Sequence, residues 1–230
     1  MPSDLQLIEV HVAILFRHDA HRRLLAINEP EPNHPAPRLY LGRTTSGNIW
    51  RFRADLPDPL VEQLDALLCT GPAAPDLSQP PVVLPALIET LQPVQDLTQG
   101  PAWHFPEHVP LSKGVVPITS ANIAACQRNF PWTATHLADF QPCRAVLVDG
   151  DAVSLCFSSR NGQEACEAGV FTVEEYRGRG FAPAAVSSWA HEVRESGRIP
   201  FYSTSSGNLA SRAVATKLGL VLNGADLSIT

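Results

Sequence analysis

Val170-Phe171-Thr172-Val173-Glu174-Glu175-Tyr176-Arg177-Gly178-Arg179-Gly180-Phe181-Ala182-Pro183 is the stretch that decides how the second half of this 230-residue chain folds. The residues from Ala165 to Val173 read as a strand. After the Arg-Gly-Arg-Gly turn, Ala182, Val186, Trp189 and Val193 recur at helical spacing, with Glu192, Arg194 and Glu195 on the other face and Gly197 as the stop. A strand that turns through two glycines straight into a helix gathers unpaired backbone N–H groups at the positive end of the helix dipole. That is an anion site suited to phosphate. Gly178 and Gly180 let the backbone approach the ligand closely, Arg177 and Arg179 add charge, and Pro183 is tolerated in the first turn because its missing N–H has no helical partner there.

Working outward, Ile199 to Ser203 reads as a strand, and Asn208 caps a helix whose stripe is Ala210, Val214 and Leu218, closed by Gly219. Val221 to Thr230 adds a strand. Upstream, Arg144–Val148 and Ala152–Ser159 form a hairpin turning at Asp149-Gly150-Asp151. Thr119–Arg128 and Trp132–Phe140 read as short helices. In the first half, Ser3 and Gln6 cap a helix over residues 4–16, Arg23–Asn28 is a strand, and Leu39–Arg43 with Asn48–Arg53 is a hairpin. Pro57–Leu68 and Pro85–Leu91 read as helices.

The composition changes character near residue 110. Sixteen of the 21 prolines precede it and 10 of the 14 glycines follow it. The formal charge of -6 lies entirely in the first part. The reading is therefore an N-terminal α+β region over 1–70, a connecting segment over 71–110 that its nine prolines keep irregular and on the surface, and a second domain over 111–230. Only two lysines are present, Lys113 and Lys217, so a surface that neutralises many phosphates is excluded, and nucleic acid with it. The longest apolar run, Val12 to Phe16, is too short to span a membrane, and Met1-Pro2-Ser3-Asp4 carries no basic leader, which gives a cytoplasmic expectation. Five cysteines without a C-x-x-C pair suggest buried thiols, and no metal site is expected.

Other phosphate and catalytic motifs fail on single positions. A dinucleotide fingerprint needs glycine or alanine at Pro183 and an acid where Arg198 stands. The phosphate-loop pattern at Gly42 to Asn48 ends on asparagine, His191-Glu192-Val193-Arg194-Glu195 lacks the second histidine of a zinc helix, and no G-x-S-x-G elbow occurs. What remains is Arg177-x-x-Gly180-x-Ala182 after a strand, followed by Asn208-x-x-Ser211 and Lys217-Leu218-Gly219-Leu220. This ordered set resembles the GNAT acyltransferase superfamily over about residues 111–230. Residues 1–110 resemble no family.

The resemblance implies an α/β (α+β) fold, a GNAT-like mixed, splayed sheet flanked by helices, here with an N-terminal α+β extension. It implies acetyl-CoA as acyl donor and transfer to a primary amine, a small-molecule acceptor, by direct attack on the thioester. The pantetheine arm would pair with the backbone of Phe171 and Val173, with Thr172 between them also counted as donor-binding, and the pyrophosphate would sit on Arg177, Gly178, Arg179, Gly180, Phe181 and Ala182, with Asn208 and Ser211 on the far side. Such a transfer needs a base for the ammonium proton and often an acid for the departing thiolate. Glu167, in the strand entering the loop, is the candidate base, with Glu164 as the alternative in the turn before it. The tyrosine that many relatives carry seven residues after the capping asparagine is Ala215 here. Tyr202, Ser205 and Ser211 are the hydroxyls left as donors. Trp103 and Trp132 fit either core packing or an acceptor pocket. A non-catalytic acyl-CoA sensor on a degenerate version of the fold is the alternative reading, and assembly as a homodimer stays open.

Overall fold

Parallel pairing occurs once in the large sheet of this computed structural model, and the molecule is arranged around that point. The structure describes residues 2–30, 34–71, 73 and 76–230. In chain order the elements are α1 (Asp4–Leu15), β1 (Phe16–His18), β2 (Leu24–Ile27), β3 (Leu39–Arg43), β4 (Asn48–Phe52), α2 (Asp58–Cys69), α3 (Leu84–Thr90), β5 (Leu97–His104) and β6 (Val115–Pro117). There follow β7 (Cys143–Val148), β8 (Asp151–Asn161), β9 (Ala165–Thr172), α4 (Phe181–Glu195), β10 (Ile199–Ser203), α5 (Leu209–Lys217) and β11 (Val221–Ile229). Nine strands form one mixed sheet in the order β4-β3-β11-β5-β10-β9-β8-β7-β6, and β1 pairs with β2 apart from it. This is the mixed α+β architecture expected from the sequence.

Local signals explain most boundaries. Ser3 accepts from the Gln6 N–H while the Gln6 side chain accepts from the Ser3 N–H, a complete capping box on α1. Asp149 (φ 51°) and Gly150 (φ 89°) turn the β7–β8 hairpin with both central residues in the left-handed region, which matches the twist of the strands. Gly197 and Gly219 take positive φ after α4 and α5.

Two expectations are corrected. The expected helices at Thr119–Arg128 and Trp132–Phe140 shrink to 3₁₀ turns at Ile123–Cys126 and Pro131–Ala134. Pro131 breaks the chain between them, and the short turns bury Cys126 and Phe130 in a cluster with Phe140, Leu155 and Phe157. The segment 71–110 is not a surface connector. It supplies β5, which lies in the middle of the sheet, antiparallel to both β10 and β11. Its prolines cluster outside the strand except Pro101, and Gly100 brings the chain close enough that a Cβ there would stand 1.7 Å from the Thr204 carbonyl oxygen. Hydrophobic pattern was masked because the strand reads Leu-Thr-Gln-Gly-Pro-Ala-Trp-His, with only half of its residues apolar.

Helices cover both faces. α4 buries Ala185, Val186, Trp189, Ala190 and Val193 against Val153, Cys156, Cys166 and Ala168. Val153, Val186 and Val193 each contribute about 1.5–3 kcal/mol by leaving water. α1 lies on the opposite face, where Leu7 and Ile14 meet Ala165 and Phe201. α2 and α3 cover β3 and β11 through Leu64, Leu68 and Leu87 against Leu39, Leu41 and Leu227.

Gly100→Ala should therefore destabilise the protein by about 2 kcal/mol or more, since its methyl group meets rigid backbone. Urea unfolding measures this; a change below about 0.5 kcal/mol would show that β5 is not held as tightly as its contacts require.

Candidate functional site: a cleft where the sheet splits

β9 and β10 pair only from Ile199↔Ala165 to Phe201↔Glu167, and beyond that register they part. Glu167 sits at the vertex, 4% exposed. Its Oε1 accepts from the Ser203 N–H at 2.6 Å and the Ser203 hydroxyl at 2.8 Å, so a side chain takes the place of the next rung of the ladder. Its Oε2 lies 2.8 Å from His11 Nε2 on α1. His11 is fully buried and stacks on Phe201, with ring centroids 4.7 Å apart. Its Nδ1 is 3.8 Å from the Asp226 carboxylate, which in turn accepts from the Tyr40 hydroxyl at 2.7 Å. Burial is the largest single influence on His11 and pushes its pKa down, but the charge and hydrogen bond of Glu167, helped by Asp226, hold it above its ordinary value.

Between the end of β9, the start of α4 and α5 opens a cleft of about 600 Å³. Phe171, Thr172, Arg177, Gly178 and Gly180 line one side. Phe181, Ala182, Asn208 and Ser211 complete it, so nine of the eleven residues expected to hold a donor come together. Gly178 (φ 77°) and Gly180 (φ 83°) adopt the left-handed conformation that only glycine takes freely. Among the described residues, no N–H from Gly178 to Ala182 is recorded as donating to a backbone carbonyl outside the regular elements, and the first turn of α4 leaves its own unpaired. Asn208 caps α5 by accepting from the Ser211 N–H at 3.0 Å.

The remaining two residues are placed elsewhere. Val173 donates its N–H to the Val153 carbonyl at 2.9 Å and accepts from Tyr176. Peptide groups alternate along a strand, so those of Phe171 point the same way, and its carbonyl accepts from the Ser154 hydroxyl at 3.3 Å. The peptide edges turned to the cleft are therefore those of Val170 and Thr172, one residue out of phase with the expectation. Arg179 leaves the loop to stack on Tyr176, its guanidinium carbon 5.0 Å from the ring centroid. Arg177 donates to the Thr172 carbonyl at 3.4 Å.

The expected catalytic groups divide. Glu167 is held by three donors and lines no described cleft, so its carboxylate is not placed to meet an amine directly. Glu164 lies exposed in the turn at the opposite end of β9 from the loop. Tyr202 is 1% exposed, and its hydroxyl is enclosed, with Ser211 as its polar neighbour. Burial pushes it up to about 12 against a smaller pull from Ser211, so it is protonated at neutral pH. Ser211 lines the cleft beside it. Burial likewise raises Cys156 and Cys166, which removes them as nucleophiles, and Cys166 donates to Asn161 at 3.1 Å. Trp103 packs on Tyr202 at 6.1 Å.

Three residues were missed. Lys217 lines the cleft, with its Nζ 3.3 Å from where a Cβ on Gly180 would be, directly over the loop. Its position at the end of the Asn-capped helix was the available signal. His11 sits on the apolar stripe of α1, three residues after Ile8, which marks it as buried but does not name its partner. Asp226 pairs with α1 across the fold, and nothing local announces it.

Residues 143–225 match the family model described as GNAT acetyltransferase. No curated protein matches the chain by sequence. Among solved structures, a GCN5-related N-acetyltransferase-like protein from Streptococcus suis aligns at 17% identity over 85% of each chain with a TM-score of 0.51. A GNAT-family acetyltransferase from Colwellia psychrerythraea aligns at 11% identity over 79% of this chain and 75% of that one, with a TM-score of 0.51. A GNAT-family protein from Novosphingobium aromaticivorans aligns at 19% identity over 59% of this chain, and the match spans 65% of its own length, under two thirds, with a TM-score of 0.48. At these identities the likeness is one of fold.

The buried His11 gives a pH signature. A native pKa above the unfolded value of about 6.5 means that its stabilisation is complete below pH 6.5 and is lost as pH rises through the native value. His11→Gln should cost about 3 kcal/mol at pH 6, as for other broken buried pairs, and less as pH climbs. Thermal unfolding of both proteins from pH 5.5 to 9 tests this, and a constant difference would rule the ion pair out.

Proposed function

From the match of residues 143–225 to the GNAT acetyltransferase family model, we propose that this protein is an acetyl-CoA-dependent N-acetyltransferase acting on a primary amine of a small molecule. The observation that carries the reading is the loop from Arg177 to Ala182, with two left-handed glycines, unpaired N–H groups and the Lys217 ammonium above them, opening into the cleft beside the split sheet. These groups fit a diphosphate and its neighbouring phosphate. The donor supplies a thioester carbonyl whose acetyl group passes to the amine nitrogen, with loss of one N–H proton and release of the thiol.

The chain's own residues then have distinct tasks. Val170 and Thr172 offer peptide edges to the extended arm. Ser211, which lines the cleft with the buried, neutral Tyr202 behind it, presents the hydroxyl for the departing sulfur. Glu167 acts through others: by fixing Ser203 and His11 it keeps the sheet open at the vertex, a positioning role in place of the expected direct base. The locked Glu167 and the alanine at position 215 favour one second reading, a non-catalytic acyl-CoA sensor.

Gly180→Val should raise the acetyl-CoA Kd about 100-fold or more, because a β-branched residue at φ 83° collapses the cradle. Calorimetry checks this, and retained affinity would sink the loop assignment. Ser211→Ala should lower kcat about 100-fold while the acetyl-CoA KM changes little, as expected for a proton donor. Tight acetyl-CoA binding without turnover of any amine would select the sensor.

A further inference from the structure

The other side of β9 carries a second cleft, of about 490 Å³, that the donor site does not use. Val170 and Phe171 line both clefts, so a molecule in the second one approaches the same strand wall as a donor in the first. Its surface is aromatic. Phe157 and Phe171 lie parallel within 8°, with centroids 6.1 Å apart. Trp132 stands edge-on to both, at 5.1 Å and 5.7 Å, and Phe140 closes the cluster 4.7 Å from Phe157. Gly169 makes this possible, since a Cβ there would be 2.7 Å from the Phe157 ring, which lies across the strand. Phe171 keeps 53% of its surface in water at the shared wall, a large apolar side chain presented to whatever enters.

Charge in this cleft is already spent. Glu29 and Arg160, which both line it, form an ion pair with each other. A polyamine or an aminoglycoside-like polycation would meet no unpaired carboxylate cluster there. A flat apolar body, in contrast, gains offset-stacked and edge-to-face contacts with the rings.

Resting on the acetyltransferase reading, we propose that this aromatic cleft is the acceptor pocket and that the acceptor is a primary amine carried on an aromatic ring system. The test compares 2-phenylethylamine and tryptamine with n-butylamine and spermidine, by calorimetry in the presence of CoA and by thiol release with acetyl-CoA. The aromatic amines should bind and should show KM values at least ten-fold lower than the aliphatic ones. Trp132→Leu should raise their KM about ten-fold with the acetyl-CoA Kd unchanged. Because Trp132 is part of a packed cluster, Ser159→Arg at the lip of the cleft serves as the second variant; its added charge should repel an ammonium to the same extent. If acetyl-CoA binds but aromatic amines bind no better than butylamine, or Ser159→Arg leaves their KM unmoved, the acceptor assignment is overturned and the donor assignment stands. If acetyl-CoA itself does not bind, both are overturned.

Discussion

The carboxylate of Glu167 is the interaction on which the rest depends. Two parallel strands would ordinarily continue their ladder, and a side chain that captures the Ser203 N–H at 2.6 Å stops it at one register. The same group accepts from His11 and so fastens α1 to the underside of the split. Taking a carboxylate out of water is costly unless its lone pairs are filled, and three donors fill them here. The parting of the two strands above it is thus tied to a buried polar cluster at their vertex.

The two clefts share their wall for a simple reason. Side chains of a strand alternate between faces, so even-numbered residues of β9 point to α4 and the odd-numbered ones to the aromatic cluster. Cys166 and Ala168 are packed under α4, while Glu167 and Phe171 look the other way.

What was legible in the sequence is what is local. The Arg177–Ala182 loop, the helix after it, the Asn208 cap and the hairpin at Asp149-Gly150 are each written within a few neighbouring residues, and nine residues that line the cleft follow from them. The phase of the backbone was not, because the direction in which Phe171 or Thr172 turns its peptide depends on the pairing with β8. Nor was the fate of Glu167: a carboxylate in a strand near a loop reads as a base until His11, 156 positions earlier, is seen to hold it. β5 escaped notice because glycine and proline inside a strand usually argue against one. Here Gly100 is required by the passing Thr204 backbone.

That inserted strand alters what counts as a domain. β5 separates β10 from β11, and β11 in turn pairs with β3, its Leu227 opposite Leu41. A fragment limited to the stretch that matches the family would carry two bare strand edges where β5 belongs, surfaces that invite pairing with other chains. The sheet therefore cannot be assembled half by half. β3 must wait for a partner far along the chain, so contacts of high sequence separation have to form before the cleft exists, and folding is expected to be slow and cooperative across both halves.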